Sequence, residues 1–166
     1  MVDFFVIGEA EEVILEIIES YKKFKKTGKE RQAFLEEVSG IPGIYVPQMY
    51  DVVFNDDGTI NRYIPQKPGI PQKVKKRVIR DMDQVYYPTD FVVPYMNIVH
   101  DRAMLEIFRG CTHGCRFCQA GMIYRPVREK SVNRLYELAK EIIASTGYDE
   151  ISLTSLSTSD YSDLKN

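Results

Sequence analysis

Three cysteines stand close together in the run Arg109-Gly-Cys-Thr-His-Gly-Cys-Arg-Phe-Cys-Gln-Ala-Gly121, and the chain has no others. Thiolates are ligands for soft metals and for iron–sulfur clusters. Cys111, Cys115 and Cys118 follow a Cys-x-x-x-Cys-x-x-Cys spacing, with Phe117 just before the last, so one short loop presents all three. A [4Fe–4S] cube ordinarily takes four thiolates, one per iron. A loop that supplies three leaves one iron open to another ligand, as befits a cluster that takes part in chemistry. Zinc is the competing chemistry, with a histidine completing a tetrahedron of three cysteines and one imidazole. His113 and His100 are the histidines available. The first lies awkwardly between two ligand cysteines, and the second would have to fold back along the preceding strand. The separated ligand pairs usual in zinc sites are absent.

The flanking pattern indicates what must hold this loop. Ala103 to Phe108 reads as a strand, with Met104, Glu106 and Phe108 pointing one way and Leu105 and Ile107 the other. The cysteines therefore leave the C-terminal end of a strand, where α/β folds and barrels place their sites. Beyond the loop, Ser131 suits a helix N-cap, and Val132, Leu135, Leu138, Ala139, Ile142 and Ile143 form an apolar face. Gly147 ends that helix, and Ile151 to Leu156 reads as the next strand.

Upstream, Val2 to Ile7 reads as a buried strand entering a turn at Gly8. A helix follows from Glu11, with Val13, Ile14, Ile17, Ile18, Tyr21 and Phe24 on one face and Gly28 as its C-terminal cap. Acidic residues gather at its start and lysines at its end, which complements the helix dipole. Lys29 to Val38 suggests a second short helix, closed by Ser39 and Gly40. Tyr50 to Phe54 and Thr59 to Ile64 flank Asn55-Asp-Asp-Gly58 and read as a β-hairpin. Pro65, Pro68 and Pro71 then mark a linker. Lys73, Lys75, Lys76, Arg77 and Arg80 follow as a basic stretch, read as a solvated linker face. Docking of a nucleic acid such as tRNA is the alternative, with no other residues in its support.

The spacing Cys111, Cys115, Phe117, Cys118 matches the cluster motif of the radical S-adenosylmethionine (radical SAM) superfamily. The surrounding text from Met104 to Glu129 resembles the members that carry a cobalamin-binding-type domain ahead of the barrel, many of unassigned substrate. The segment Ile41-Pro-Gly-Ile-Tyr-Val-Pro47 resembles the connection between those domains. The resemblance implies an α/β fold in which a strand–loop–helix–strand unit begins a partial (β/α) barrel, preceded by a βα unit and a β-hairpin linker. It divides the chain into the tail of a cobalamin-binding-like domain (1–47), hairpin and linker (48–102) and the N-terminal part of the barrel (103–166). It implies that Cys111, Cys115 and Cys118 ligate three irons of a [4Fe–4S] cluster and that the fourth iron chelates SAM. The reduced cluster would cleave SAM to a 5′-deoxyadenosyl radical that abstracts hydrogen from an unknown substrate. Methyl or methylthio transfer is the outcome the subgroup suggests.

By the same resemblance Phe117 packs by the cluster and the adenine of SAM; the plainer reading is a core side chain that anchors the loop, and the two are compatible. Gly110, Gly114 and Gly121 would let the chain wrap closely around a cluster. Many members bind the SAM amino group through Gly-Gly-Glu after the second strand, a motif this chain lacks. Thr154-Ser-Leu-Ser-Thr-Ser-Asp160 stands there instead, and Thr154, Ser155 and Ser157 are the candidate SAM contacts, their oxygens accepting ammonium hydrogens. Arg125 and Arg128 are candidates for the SAM carboxylate or a substrate anion, or else for structural ion pairs. The Asp-x-His-x-x-Gly loop of cobalamin domains is missing, so cobalamin is not expected on this polypeptide and is left open for a full-length parent.

Composition sets the frame. The 166 residues are 44% hydrophobic and 28% charged, ordinary for a globular protein. A net charge of −2 predicts no general attraction to nucleic acid or anionic membrane. No apolar run reaches the ~20 residues of a membrane helix, and the start lacks a signal-peptide pattern. Free thiols suited to a cluster predict a reducing compartment, by default the cytoplasm, and the resemblance implies an external electron donor such as flavodoxin or ferredoxin. A complete (β/α)₈ barrel takes ~250 residues. The chain is therefore expected to be a fragment of a longer enzyme, incomplete and inactive alone. A non-catalytic iron–sulfur or zinc-binding module is the alternative reading.

Overall fold

The helix expected from Glu11 forms over Val13–Thr27 (α1) in the structure of the chain, a computed structural model that describes residues 2–28, 30–96 and 98–164. The chain is mixed α/β with two-stranded sheets and divides into two compact units, Met1–Ile79 and Arg80–Asn166. The division falls inside the stretch 48–102, and the hairpin belongs to the first unit.

In the first unit, β1 (Phe5–Val6), α1, α2 (Arg31–Ser39) and β2 (Ile44–Tyr45) follow one another, and β1 pairs antiparallel with β2. Lys29, the first residue of the second helix as read from sequence, lies outside the described residues. Val13 and Ile17 of α1 meet Leu35 and Val38 of α2, Ile44, Val46, Met49 and Tyr50 in one core. Each such side chain fully buried contributes roughly 1.5–3 kcal/mol. Ile14, Ile18 and Tyr21, placed by sequence on the same face, stay exposed. The apolar stripe of α1 is wider than the surface that covers it. Gly28 caps the helix in the left-handed conformation, φ +64°. The hairpin forms from β3 (Tyr50–Phe54) and β4 (Ile60–Pro65), with an irregularity where Phe54 pairs Ile60. Pro65, read as linker, closes that ladder opposite Tyr50. Within the basic stretch, Arg77 is not a free linker charge: its guanidinium is paired with Glu16 and, at 3.3 Å, with Glu12 of α1.

In the second unit, β5 (Ala103–Glu106) and β6 (Phe108–Arg109) precede a short helix, α3 (Ala120–Ile123), then β7 (Arg128–Glu129), α4 (Val132–Thr146) and β8 (Ile151–Thr154). β5 and β8 are parallel, in register from Ala103 opposite Ile151 to Glu106 opposite Thr154. Helix α4 makes the connection back to β8. Its N-cap is Ser131, whose side chain accepts from the Arg134 amide, while the Asp83 carboxylate accepts from the Ser131 amide at 2.8 Å. Gly147 ends it as expected. Leu138 and Ile142 of α4 pack with Ala103 and Leu105 of β5.

The single strand expected over Ala103 to Phe108 is broken at Ile107, and this corrects the simple alternation. Phe108 does not share an open face with Met104. It is buried, its ring stacked on Tyr161 with centroids 6.4 Å apart, and Ile107 is buried too. The chain leaves the parallel ladder there because the Ile107 carbonyl accepts from the Lys130 amide instead. The second strand ends at Thr154, short of the expected Leu156, where the 3₁₀ turn Thr158–Asp160 follows. Among the described residues, no helix is long and apolar enough to cross a membrane.

Leu138→Ala should therefore cost about 2–5 kcal/mol of the second unit's stability, read as an earlier midpoint in urea unfolding followed by circular dichroism. A Glu137→Ala change on the exposed side of the same turn should shift it by less than about 0.5 kcal/mol.

Candidate metal centre

The cysteine loop is a closed stem-loop. Its stem is the antiparallel pairing of β6 with β7, Phe108 opposite Glu129 and Arg109 opposite Arg128. Gly110 opens the loop immediately beyond the stem, at φ +94°. A Cβ there would lie 2.6 Å from the Pro126 carbonyl oxygen and 2.9 Å from Val127 Cα. Glycine is required on both counts, backbone conformation and close approach of the returning strand.

Within the loop, the Cys118 amide donates to the Cys115 carbonyl at 3.0 Å, forming a tight turn. Cys111 and Cys118 are half-buried and Cys115 is exposed. Arg125 donates to the carbonyls of Cys111 and Thr112, both at 3.3 Å. Arg128 donates to the Pro126 and Tyr124 carbonyls at 3.0 and 3.4 Å. Both arginines, considered from sequence for anion binding, here brace the loop's own backbone. Gly121 is buried against the His113 carbonyl, whereas nothing approaches Gly114. Phe117 is 93% exposed, so the reading of it as a core anchor is overturned. The flanking turn points it away from the packed body of the unit.

His113 reaches the loop beyond β8. Its Nε2 lies 2.6 Å from Asp160 Oδ2, which engages the ring that a zinc reading would need. Hydrogen bonds from Ser157 and then His113 hold the Asp160 carboxyl below its ordinary pKa. The candidate SAM residues occupy the same place in the fold. Thr154 ends β8 and its carbonyl accepts from the Ile107 amide at 3.0 Å. Ser155 Oγ and Thr158 Oγ1 are 3.0 Å apart. Ser157 bonds Asp160. The structure therefore brings the Thr154–Asp160 segment to the cysteine loop through one His–Asp contact.

Two residues without any motif meet at the end of β5, below the loop's stem. Lys130, directly after β7, is buried, and its ammonium donates to the Glu106 carbonyl at 2.9 Å. Tyr87 spans the end of β5, donating to the Met104 carbonyl and accepting from the Glu106 amide, each at 3.0 Å. Glu106 also receives a two-pronged bond from Arg109 at 2.8 and 2.9 Å. Burial pushes the Lys130 ammonium below its ordinary pKa, against the opposing pull of Glu106, and pushes the Tyr87 phenol up.

Among the described residues, no three His, Cys, Asp or Glu side chains are gathered to hold a metal ion. The donor chemistry nonetheless fits an iron–sulfur cluster open at one iron. It consists of three thiols on one loop whose stem is locked by backbone pairing, with Cys115 and Phe117 on its open side. Any imidazole completing a zinc tetrahedron would have to come from His113, already bonded to Asp160, or from exposed His100.

Comparison with known proteins gives two family matches. The description "Radical SAM proteins, N-terminal" matches residues 1–47, and "Radical SAM superfamily" matches residues 105–166, which contain the whole cysteine loop. An uncharacterized protein of Methanocaldococcus jannaschii is 31% identical over 108 residues. That match covers 65% of this chain and spans 23% of the relative's length. No solved structure matches the chain.

Gly110→Ala should destabilise the second unit by about 1–3 kcal/mol from backbone strain alone. Under a thiol reagent read by peptide mass mapping, Cys115 should label fastest in the wild type. Cys111 and Cys118 should accelerate in the alanine variant as the stem opens.

Proposed function

The chain belongs to the radical SAM superfamily, and from that premise we propose that Cys111, Cys115 and Cys118 bind three irons of a [4Fe–4S] cluster and leave the fourth for SAM. The observation that carries this reading is the three-thiol loop closed by β6 and β7 at the C-terminal end of β5. When bound, such a cluster with SAM supplies reductive cleavage to a 5′-deoxyadenosyl radical able to abstract hydrogen from a substrate. The residues of this chain bind and orient.

Arg125 and Gly121 hold the backbone of residues 111–113, which fixes where the first thiol emerges. The turn from Cys115 to Cys118 sets the spacing of the other two. Phe117, exposed beside them, is available to cover the adenine of SAM. The hydroxyls of Thr154, Ser155 and Ser157 and the carbonyls around them offer acceptors for the SAM ammonium where Gly-Gly-Glu is missing. The contact of His113 with Asp160 keeps that acceptor segment beside the loop.

In this reading the parallel β5–α4–β8 unit is the start of a partial (β/α) barrel, and the electron comes from a low-potential protein such as flavodoxin or ferredoxin. Turnover, the substrate and any use of cobalamin belong to a longer protein, consistent with a match that spans 23% of its relative.

The test is electron paramagnetic resonance on the anaerobically reconstituted, dithionite-reduced chain, with and without SAM. A [4Fe–4S]⁺ signal that shifts on SAM addition is expected, and Cys115→Ala should lose it. A cluster signal indifferent to SAM would support a non-catalytic iron–sulfur module. Stoichiometric zinc with no cluster would overturn the assignment.

A further inference from the structure

Among the described residues, Lys130 is the charged residue buried most deeply, at 1% exposure, and the reading above does not use it. Its ammonium has a built surround. The Glu106 carbonyl accepts from it at 2.9 Å, the Glu106 carboxylate is 3.5 Å away, and the Tyr87 ring centroid is 4.8 Å away. Tyr87 is itself fixed by two bonds to the β5 backbone. The Lys130 carbonyl accepts from the Tyr161 hydroxyl at 2.7 Å.

Taking an ammonium out of water is expensive, and a well-packed apolar side chain in the same space is often as stable or more so. Fold stability is therefore a poor reason for a lysine here. Its place offers a better one, since the charge is buried at the end of β5, directly below the two-residue stem of the loop that carries the three thiols.

We infer that Lys130 is an electrostatic tuning residue for the cysteine-loop cluster, its buried charge favouring the one-electron-reduced state. This rests on the cluster reading of the loop. Three thiolates make such a cluster anionic, and reduction by a low-potential one-electron donor adds one negative charge with no bond formed or broken. A cation held where water cannot screen it stabilises that added charge.

Among the described residues, Arg109, Glu106 and Asp83 are charged groups that act on the lysine. The sign of a change does not depend on their sum. Removing the ammonium disfavours reduction, and removing the Glu106 charge favours it. Arg109 stays bonded to both Glu106 oxygens, so the carboxylate keeps a partner when the lysine is replaced.

The experiment is a redox titration of the reconstituted chain, followed through the reduced-cluster resonance, for wild type, Lys130→Met and Glu106→Gln. Iron per chain and far-ultraviolet circular dichroism are measured alongside. Lys130→Met should move the midpoint potential to more negative values and Glu106→Gln to more positive values, with iron content retained. Shifts of the same sign, or none, would overturn the inference, because a purely structural role has no reason to follow the sign of the charge removed. If Lys130→Met fails to hold a cluster, Glu106→Gln alone decides: a positive shift supports tuning, and an unchanged or more negative potential overturns it. A wild-type chain that takes up no cluster would instead sink the reading of the site, and the inference with it.

Discussion

The pairing of Phe108 and Arg109 with Arg128 and Glu129 is short, yet the arrangement of the cysteines depends on it. A loop that carries three ligands must leave and return at nearly one point, or its thiols scatter. β6 and β7 provide that point, and Gly110 lets the two strands stay in contact at the very place where the loop opens. Beyond the stem, order comes from local bonds: the Cys115–Cys118 turn, and the carbonyls of Cys111 and Thr112 held by Arg125. Such bonds are individually modest, about 0.5–1.5 kcal/mol net. They act together because the stem has already removed most of the loop's freedom.

Placement at the end of a parallel strand follows from the packing beneath. Leu138 and Ile142 bury one side of α4 against Ala103 and Leu105, which fixes β5 beside β8. The residues that emerge past Glu106 and Thr154 then share one end of the sheet. That is the end where strand–helix–strand folds gather their loops, and the meeting of His113 with Asp160 follows from it.

Charge in both units is used more economically than a count suggests. With 22 basic and 24 acidic residues, most charges could be expected to stay in water. Arg77 instead ties the basic stretch to the first turns of α1, and Lys130 is enclosed by Glu106 and Tyr87. In each case the partner lies far along the sequence, on an element whose position is set by apolar packing. The ion pair is a consequence of the fold before it is a support for it.

The sequence by itself determined what rests on local spacing. The cysteine triad, the Ser131 cap, the α4 stripe around Leu138 and Ile142, and the turn at Asn55–Gly58 are all written in neighbouring residues, since helical and extended periods and capping chemistry act over a few positions. Tertiary structure decided the rest. Phe108 turned inward onto Tyr161, Phe117 outward, Ile14 and Ile18 stayed uncovered, and Lys130 entered the core. In the linear text Lys130 is one lysine among several basic residues near the loop, and Tyr87 is one aromatic among many. Nothing in their spacing chooses Glu106 as their meeting place. Only the return of the chain along β7, and the desolvation it imposes, selects that pairing from all the charges the sequence offers.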